Sequence, residues 1–222
     1  MNYLKQLALG SALAMAGAAQ AGIHVDNFTD PLAGATLSIV NPPGPLTLSY
    51  GPTSGGSILG TRNLTYTITG ASGGPTVDAV KINVTPYGNY LVETADNGGS
   101  PDLVLNYSGF TIDMMGENNV RLHNYTTDAN PEKVQAWFTD GSVNVSSSGW
   151  VAVPANYSSY LVLVLVGRAD LSDIVDIKVE FQGDPGADFT LGAIFVAPEP
   201  ATYGALTALG LLGMVIWRRV RA

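Results

Sequence analysis

Apolar residues between positions 22 and 197 recur at every second place wherever a period is clear, and not at helical spacing. In residues 174–182, Val175, Ile177, Val179 and Phe181 alternate with Asp176, Lys178, Glu180 and Gln182, which predicts a strand with one buried and one wet face. Residues 64–69 and 80–84 repeat that pattern. Residues 160–166 are instead apolar throughout and β-branched at alternate sites, which predicts a central strand covered on both faces. Further strands are predicted at 22–28, 35–40, 46–50, 90–93, 103–107, 133–139 and 189–196. The intervening clusters, such as Asn41-Pro42-Pro43-Gly44, Gly51-Pro52-Thr53-Ser54-Gly55-Gly56 and Gly183-Asp184-Pro185-Gly186, supply positive φ, fixed φ and local side-chain caps, and so predict turns. About a dozen short strands punctuated in this way predict an all-β protein, an antiparallel β-sandwich of jelly-roll type.

Composition narrows the function. Residues 22–197 carry six basic against seventeen acidic side chains, so a phosphate backbone would be repelled and nucleic-acid binding is not the expected role. The chain has no cysteine, which removes disulfides, thiolate metal sites and a Cys nucleophile. Its two histidines are His24 and His123, and no Gly-x-Ser-x-Gly elbow occurs. A hydrolytic triad is therefore not expected, and both histidines read as ordinary polar residues. Paired carboxylates could still run glycoside hydrolysis, but seventeen acids cannot be paired from sequence.

The two ends read as addresses. Residues 1–21 place Lys5 before the apolar run 7–18 and then Ala19-Gln20-Ala21, the small-x-small pattern, with Ala19 and Ala21 forming the signal-peptidase site. The exported chain then begins at Gly22. Near the other end an uncharged apolar stretch, 201–217, precedes Arg218, Arg219 and Arg221. As a helix it would be about 26 Å long, enough for a bilayer core edged by Trp217 and snorkelling arginines, with the basic stop in the cytoplasm. The expected organisation is a signal peptide at 1–21, a β-sandwich domain at 22–197, and a tail at 198–222.

Pro198-Glu199-Pro200, the short apolar helix and the arginine cluster, in that order, resemble the PEP-CTERM sorting signal of exopolysaccharide-producing Gram-negative bacteria. The resemblance implies a tail recognised by an exosortase, a membrane Cys protease or transpeptidase, with Pro198, Glu199 and Pro200 as its substrate residues. Two prolines enforce an extended segment just outside the bilayer, which is what a protease cleft accepts. A eukaryotic lipid-anchor signal fits less well, because its tail ends apolar and follows a polar spacer. The body resembles the β-sandwich domains that often precede this signal. The carriers are Ile58-Leu59-Gly60-Thr61-Arg62-Asn63-Leu64, where Thr61 departs from the second glycine of their motif, and Asp188-Phe189-Thr190-Leu191-Gly192-Ala193-Ile194, where Gly192 replaces a polar residue.

Those domains look like carbohydrate-binding jelly rolls, in many of which the first and last strands pair and share a structural calcium. The resemblance thus implies Asp26 or Asp30 drawn towards Asp188, with calcium as the sole cofactor in prospect. For sugar contact the residues to watch are Trp137, out of phase with Val134, Ala136 and Phe138, and Trp150 beside Ser146-Ser147-Ser148-Gly149. A pyranose stacks its apolar face on such rings. Tyr125 and Tyr157 are weaker candidates. The expectation is a non-catalytic, structural or glycan-binding matrix protein, partnered by signal peptidase, an exosortase, the membrane as a transient anchor, and exopolysaccharide. The alternatives are a matrix glycosidase or lyase, and an adhesin or filament subunit that bonds through an open sheet edge.

Overall fold

The computed structural model describes residues 23–28, 36–39, 46–50, 60–69, 78–85, 88–95, 99–114 and 118–197. The leader, the Pro198-Glu199-Pro200 motif, the apolar stretch and the basic tail lie outside the described residues, as does Asp30. Sixteen strands are described: β1 (Ile23–Asp26), β2 (Thr36–Ile39), β3 (Leu46–Tyr50), β4 (Thr61–Thr69), β5 (Asp78–Thr85), β6 (Gly88–Thr94), β7 (Ser100–Ile112), β8 (Asn119–Thr127), β9 (Glu132–Asp140), β10 (Val145–Ser147), β11 (Val151–Val153), β12 (Ser158–Val164), β13 (Val166–Gly167), β14 (Ile174–Gly183), β15 (Phe189–Leu191) and β16 (Ala193–Ala197). No helix occurs among the described residues.

Every described pairing is antiparallel, and the strands form two sheets of eight. In the first sheet β8 lies between β12 and a strand line made of β15 and β16, interrupted at Gly192; β6, β5 and β2 continue beyond β15, and β1 flanks β16. The second runs β3-β4-β7-β14-β9, with β10 and β11 along the far side of β9 and β13 beyond β10. The alternation read from sequence sets the inner faces: Leu64, Tyr66 and Ile68 of β4, Leu103, Leu105 and Tyr107 of β7, and Ile177, Val179 and Phe181 of β14 are buried against Val120, Leu122 and Tyr125 of β8. Phe181 of one sheet stacks on Phe189 of the other at 4.7 Å, so the sheets share one core.

Two features differ from the periodicity reading. The stretch Tyr160–Val166 is not a doubly covered central strand. It forms β12 and β13, which pair on one side only among the described residues, leaving Tyr160, Val164 and Val166 60%, 48% and 78% exposed. An apolar run fits an edge as well as a centre, and period alone does not say which. Conversely, the period does not reveal β8, although it lies inside the first sheet. Asn124 has φ 51°, and this irregularity shifts the buried phase from Val120 and Leu122 to Tyr125 and Thr127, erasing the alternation that would have revealed the strand.

The Gly60-Thr61-Arg62 segment has a structural role. Gly60 has φ +66°, and a Cβ there would lie 2.2 Å from the Ser108 carbonyl oxygen, so only glycine fits. Two residues on, Arg62 turns inward and is fully buried.

Candidate functional site

The outer face of the second sheet collects the polar phase of four long strands. One row crosses Ser147, Trp137, Lys178, Asn106 and Asn63; the next crosses Gln135, Glu180 and Val104; a third crosses Lys133, Gln182 and Asp102. Trp137 is outward because β9 buries Val134, Ala136 and Phe138. Trp150, just before β11, is 42% exposed and meets Trp137 edge to face at 6.5 Å. Two of the six cations of the body sit on these rings: Lys178 Nζ is 4.4 Å from the centre of Trp137, and Lys133 Nζ is 5.0 Å from that of Trp150.

Hydrogen-bonding groups border the tryptophans. Lys178 pairs with Glu180 at 3.0 Å. Gln182 Nε2 donates to Glu180 at 3.3 Å and to Asp102 at 3.4 Å. Gln135 Nε2 donates to Ser147 Oγ at 2.9 Å. Partial burial, aided by the neighbouring Glu180 charge, raises the Asp102 carboxyl above the ordinary range. The face thus presents two large rings at right angles beside carboxylates, amides and two ammonium groups.

The remaining sequence candidates fall elsewhere. Tyr125 is a core residue, packed on Phe181 and Phe189, and Tyr157 lies beside it at 6.1 Å. Strands β1 and β16 do pair, as the resemblance implied, but this does not bring Asp26 and Asp188 together. Asp26 stands opposite Ile194, six positions along the strand line from Asp188, about 20 Å at strand rise. The Asp26 carboxylate is moreover committed, accepting from Arg62 Nη1 at 2.5 Å, the Phe28 amide at 2.8 Å and the Tyr107 hydroxyl at 3.0 Å, with Asp26 and Arg62 fully buried. Asp188 accepts from the Ala95 amide at 2.7 Å. A calcium shared by Asp26 and Asp188 does not fit this arrangement.

Sequence reasoning did not foresee that carboxylates tie the sheets together through the core. Besides the Asp26 clamp, Tyr66 of the second sheet donates to Glu93 of the first at 2.5 Å, and Tyr125 of the first donates to Glu132 of the second. These partners lie 36, 27 and 7 positions apart, and no local spacing signals them. On the outer face of the first sheet, Phe195 lies between His24 at 4.0 Å and His123 at 4.5 Å, so both histidines of the chain share one surface.

No family model and no curated protein sequence matches the chain. Among solved structures it is similar to the family 11 carbohydrate-binding module of the cellulosomal cellulase Lic26A-Cel5E of Clostridium thermocellum, at 11% identity over 80% of this chain and 95% of that one, with a TM-score of 0.41. A solution structure of CtCBM11 aligns over 79% and 94% at 11% identity and a TM-score of 0.45. The module TmCBM61, solved with β-1,4-galactotriose, aligns over 61% and 88% at 14% identity and a TM-score of 0.39.

Proposed function

We propose that this is an exported, non-catalytic polysaccharide-binding protein whose jelly-roll body holds glycan on the outer face of the second sheet, and whose tail is removed by an exosortase-like enzyme at the cell envelope. The observation that carries the binding reading is the Trp137–Trp150 pair. Large aromatics normally bury most of their surface in a core; here two stand on a polar sheet face, at right angles, ringed by groups that bond hydroxyls. A pyranose would stack on Trp150 while Gln135, Glu180, Gln182 and Asp102 take its hydroxyls. An acidic surface elsewhere keeps the exported body soluble.

The test is a glycan array read together with release of reducing sugar. Binding without turnover is expected, and Trp150→Ala should weaken it by about 10–100-fold, roughly 1.4–2.8 kcal/mol. Binding unchanged in both Trp137→Ala and Trp150→Ala proteins would sink the site. Turnover would instead favour the glycosidase reading, for which Asp102 and Glu180 are the carboxylate pair, and Asp102→Asn should then abolish it.

The sorting reading is tested by intact mass of the protein from cells and medium. Loss of the leader and tail is expected, and alanines at Pro198, Glu199 and Pro200 should leave the tail attached. A secreted product that retains Arg218, Arg219 and Arg221 would end this part of the proposal.

A further inference from the structure

The outer face of the second sheet keeps the acidic balance of the whole body. Its described strands turn three carboxylates outward, Asp102, Asp176 and Glu180, against two ammonium groups, Lys133 and Lys178. Lys178 bridges Glu180 at 3.0 Å. Asp102 accepts a long bond from Gln182, at 3.4 Å through Oδ2, while its Oδ1 is buried with no hydrogen-bond partner. We propose that the polysaccharide held on this face bears amine groups, and that its ammonium groups sit over the tryptophan rings and against Asp102 and Glu180. The proposal rests on the glycan-binding reading above and narrows it to one class of sugar.

The chemistry of the face favours an ammonium over a hydroxyl. An ammonium brings several donors and a full charge, and the Asp102 Oδ1 atom lacks a donor. Asp102 and Glu180 lie close enough to share the Gln182 amide, which reaches them at 3.4 and 3.3 Å. Burial and the Glu180 charge together hold the Asp102 carboxyl above its ordinary range, and an added cation relieves that repulsion.

The rings already accept cations: Lys178 Nζ lies 4.4 Å from the centre of Trp137, and Lys133 Nζ 5.0 Å from that of Trp150. Lys133 is exposed, pairs with no carboxylate among the described residues, and stands in the row of Gln182 and Asp102. It marks a cation position that a sugar ammonium can take over. At longer range, seventeen acidic against six basic side chains in residues 22–197 attract a polycationic chain and repel one that carries uronates. A neutral chain can stack on the same rings, but it brings no charge to the carboxylates.

The test is calorimetric titration of the exported protein with β-1,4-linked glucose-type tetrasaccharides that differ only in the group on the second ring carbon: hydroxyl, acetamide or ammonium. In mildly acidic buffer of low salt the ammonium form should bind at least about tenfold more tightly than the other two, because charge-assisted hydrogen bonds are the stronger ones. Added salt should narrow the gap. Asp102→Asn should remove most of it, whereas Asp170→Asn, the same loss of charge beside Asp140 at the other end of β9, should keep it. Lys133→Met keeps the apolar stem but vacates the cation position, and should tighten binding of the ammonium form. Equal affinity for all the probes, a gap lost as fully in Asp170→Asn as in Asp102→Asn, or looser ammonium binding in Lys133→Met would each overturn the proposal and leave the glycan reading standing. Binding of none of these probes would also overturn it, and the glycan array would then decide separately whether the face holds any sugar.

Discussion

Replacing Glu132 by glutamine should make the protein more stable at mildly alkaline pH and leave it nearly unchanged at mildly acidic pH. Glu132 is 5% exposed, accepts the Tyr125 hydroxyl with one oxygen, and has no hydrogen bond to the other. Burial raises its carboxyl from 4.5 to about 7, the Tyr125 bond opposing and the charges of Asp128 and Asp188 adding to the rise. A carboxyl raised in the folded state favours folding when protonated. The stability it contributes is complete below about 4.5 and is lost as pH climbs through about 7. Relative to the unfolded chain, the raised carboxyl costs about 1 kcal/mol at about pH 5, where it must hold its proton, and about 3 kcal/mol at about pH 8, where it must ionise while buried, a difference of about 2–3 kcal/mol. For a domain of this size that is about 5–10 °C in Tm. Glutamine keeps an acceptor for Tyr125 but does not ionise. Thermal melts of the two proteins across this range should therefore diverge as pH rises, the Glu132→Gln protein melting higher. General charge repulsion in an acidic protein also varies with pH, but it is nearly common to both and largely cancels in the difference. Parallel Tm profiles would refute the buried, proton-holding assignment of Glu132.

Further expectations concern the clamp, the glycine and the edge. Asp26→Ala leaves the fully buried Arg62 without its carboxylate and should cost about 3–5 kcal/mol, or about 6–20 °C in Tm; adding Tyr107→Phe should cost less than its separate effect, since both act on one carboxylate, and full additivity in thermal melts would deny that they share it. Gly60→Ala places a side chain at positive φ against the Ser108 carbonyl and should lower the unfolding free energy read from chemical denaturation by more than the roughly 1–2 kcal/mol of the φ cost alone; a neutral result would contradict the close approach. Val166→Lys should change stability by no more than about 0.5 kcal/mol, whereas Leu163→Ala, buried on the same stretch, should cost about 2–5 kcal/mol. Equal losses in the two would mean that the stretch is covered on both sides after all. Asp140 accepts from the amides of Ser142, Asn144 and Asp170 and from the Asn144 side chain, and these bonds hold its carboxyl at about 2. Its contribution is present above the ordinary aspartate range and lost as pH falls towards about 2, so the acid-unfolding midpoint of Asp140→Ala should lie closer to neutrality than that of the parent.

The sequence by itself determined the local and one-dimensional properties. A period of two assigned the faces of β4, β9 and β14, and so placed Trp137 outward before any fold was known, because side-chain direction in a strand depends only on position along it. The missing cysteines likewise removed thiolate chemistry without a structure, and the acidic charge balance argued against a phosphate partner. Strand neighbours and registers were decided only by the tertiary structure, since ladders join residues far apart in the chain and the hydrophobic period carries no address for a partner. Pairing of β14 with β9 put Lys178 over Trp137; packing of the two sheets gave Asp26 to Arg62 instead of to a metal shared with Asp188. The same long-range packing left the apolar stretch at Tyr160–Val166 paired on one side only among the described residues, and hid β8 behind an irregularity at Asn124. Where burial follows from alternation the sequence sufficed, and where it follows from which strand lies alongside, only the assembled sandwich could decide.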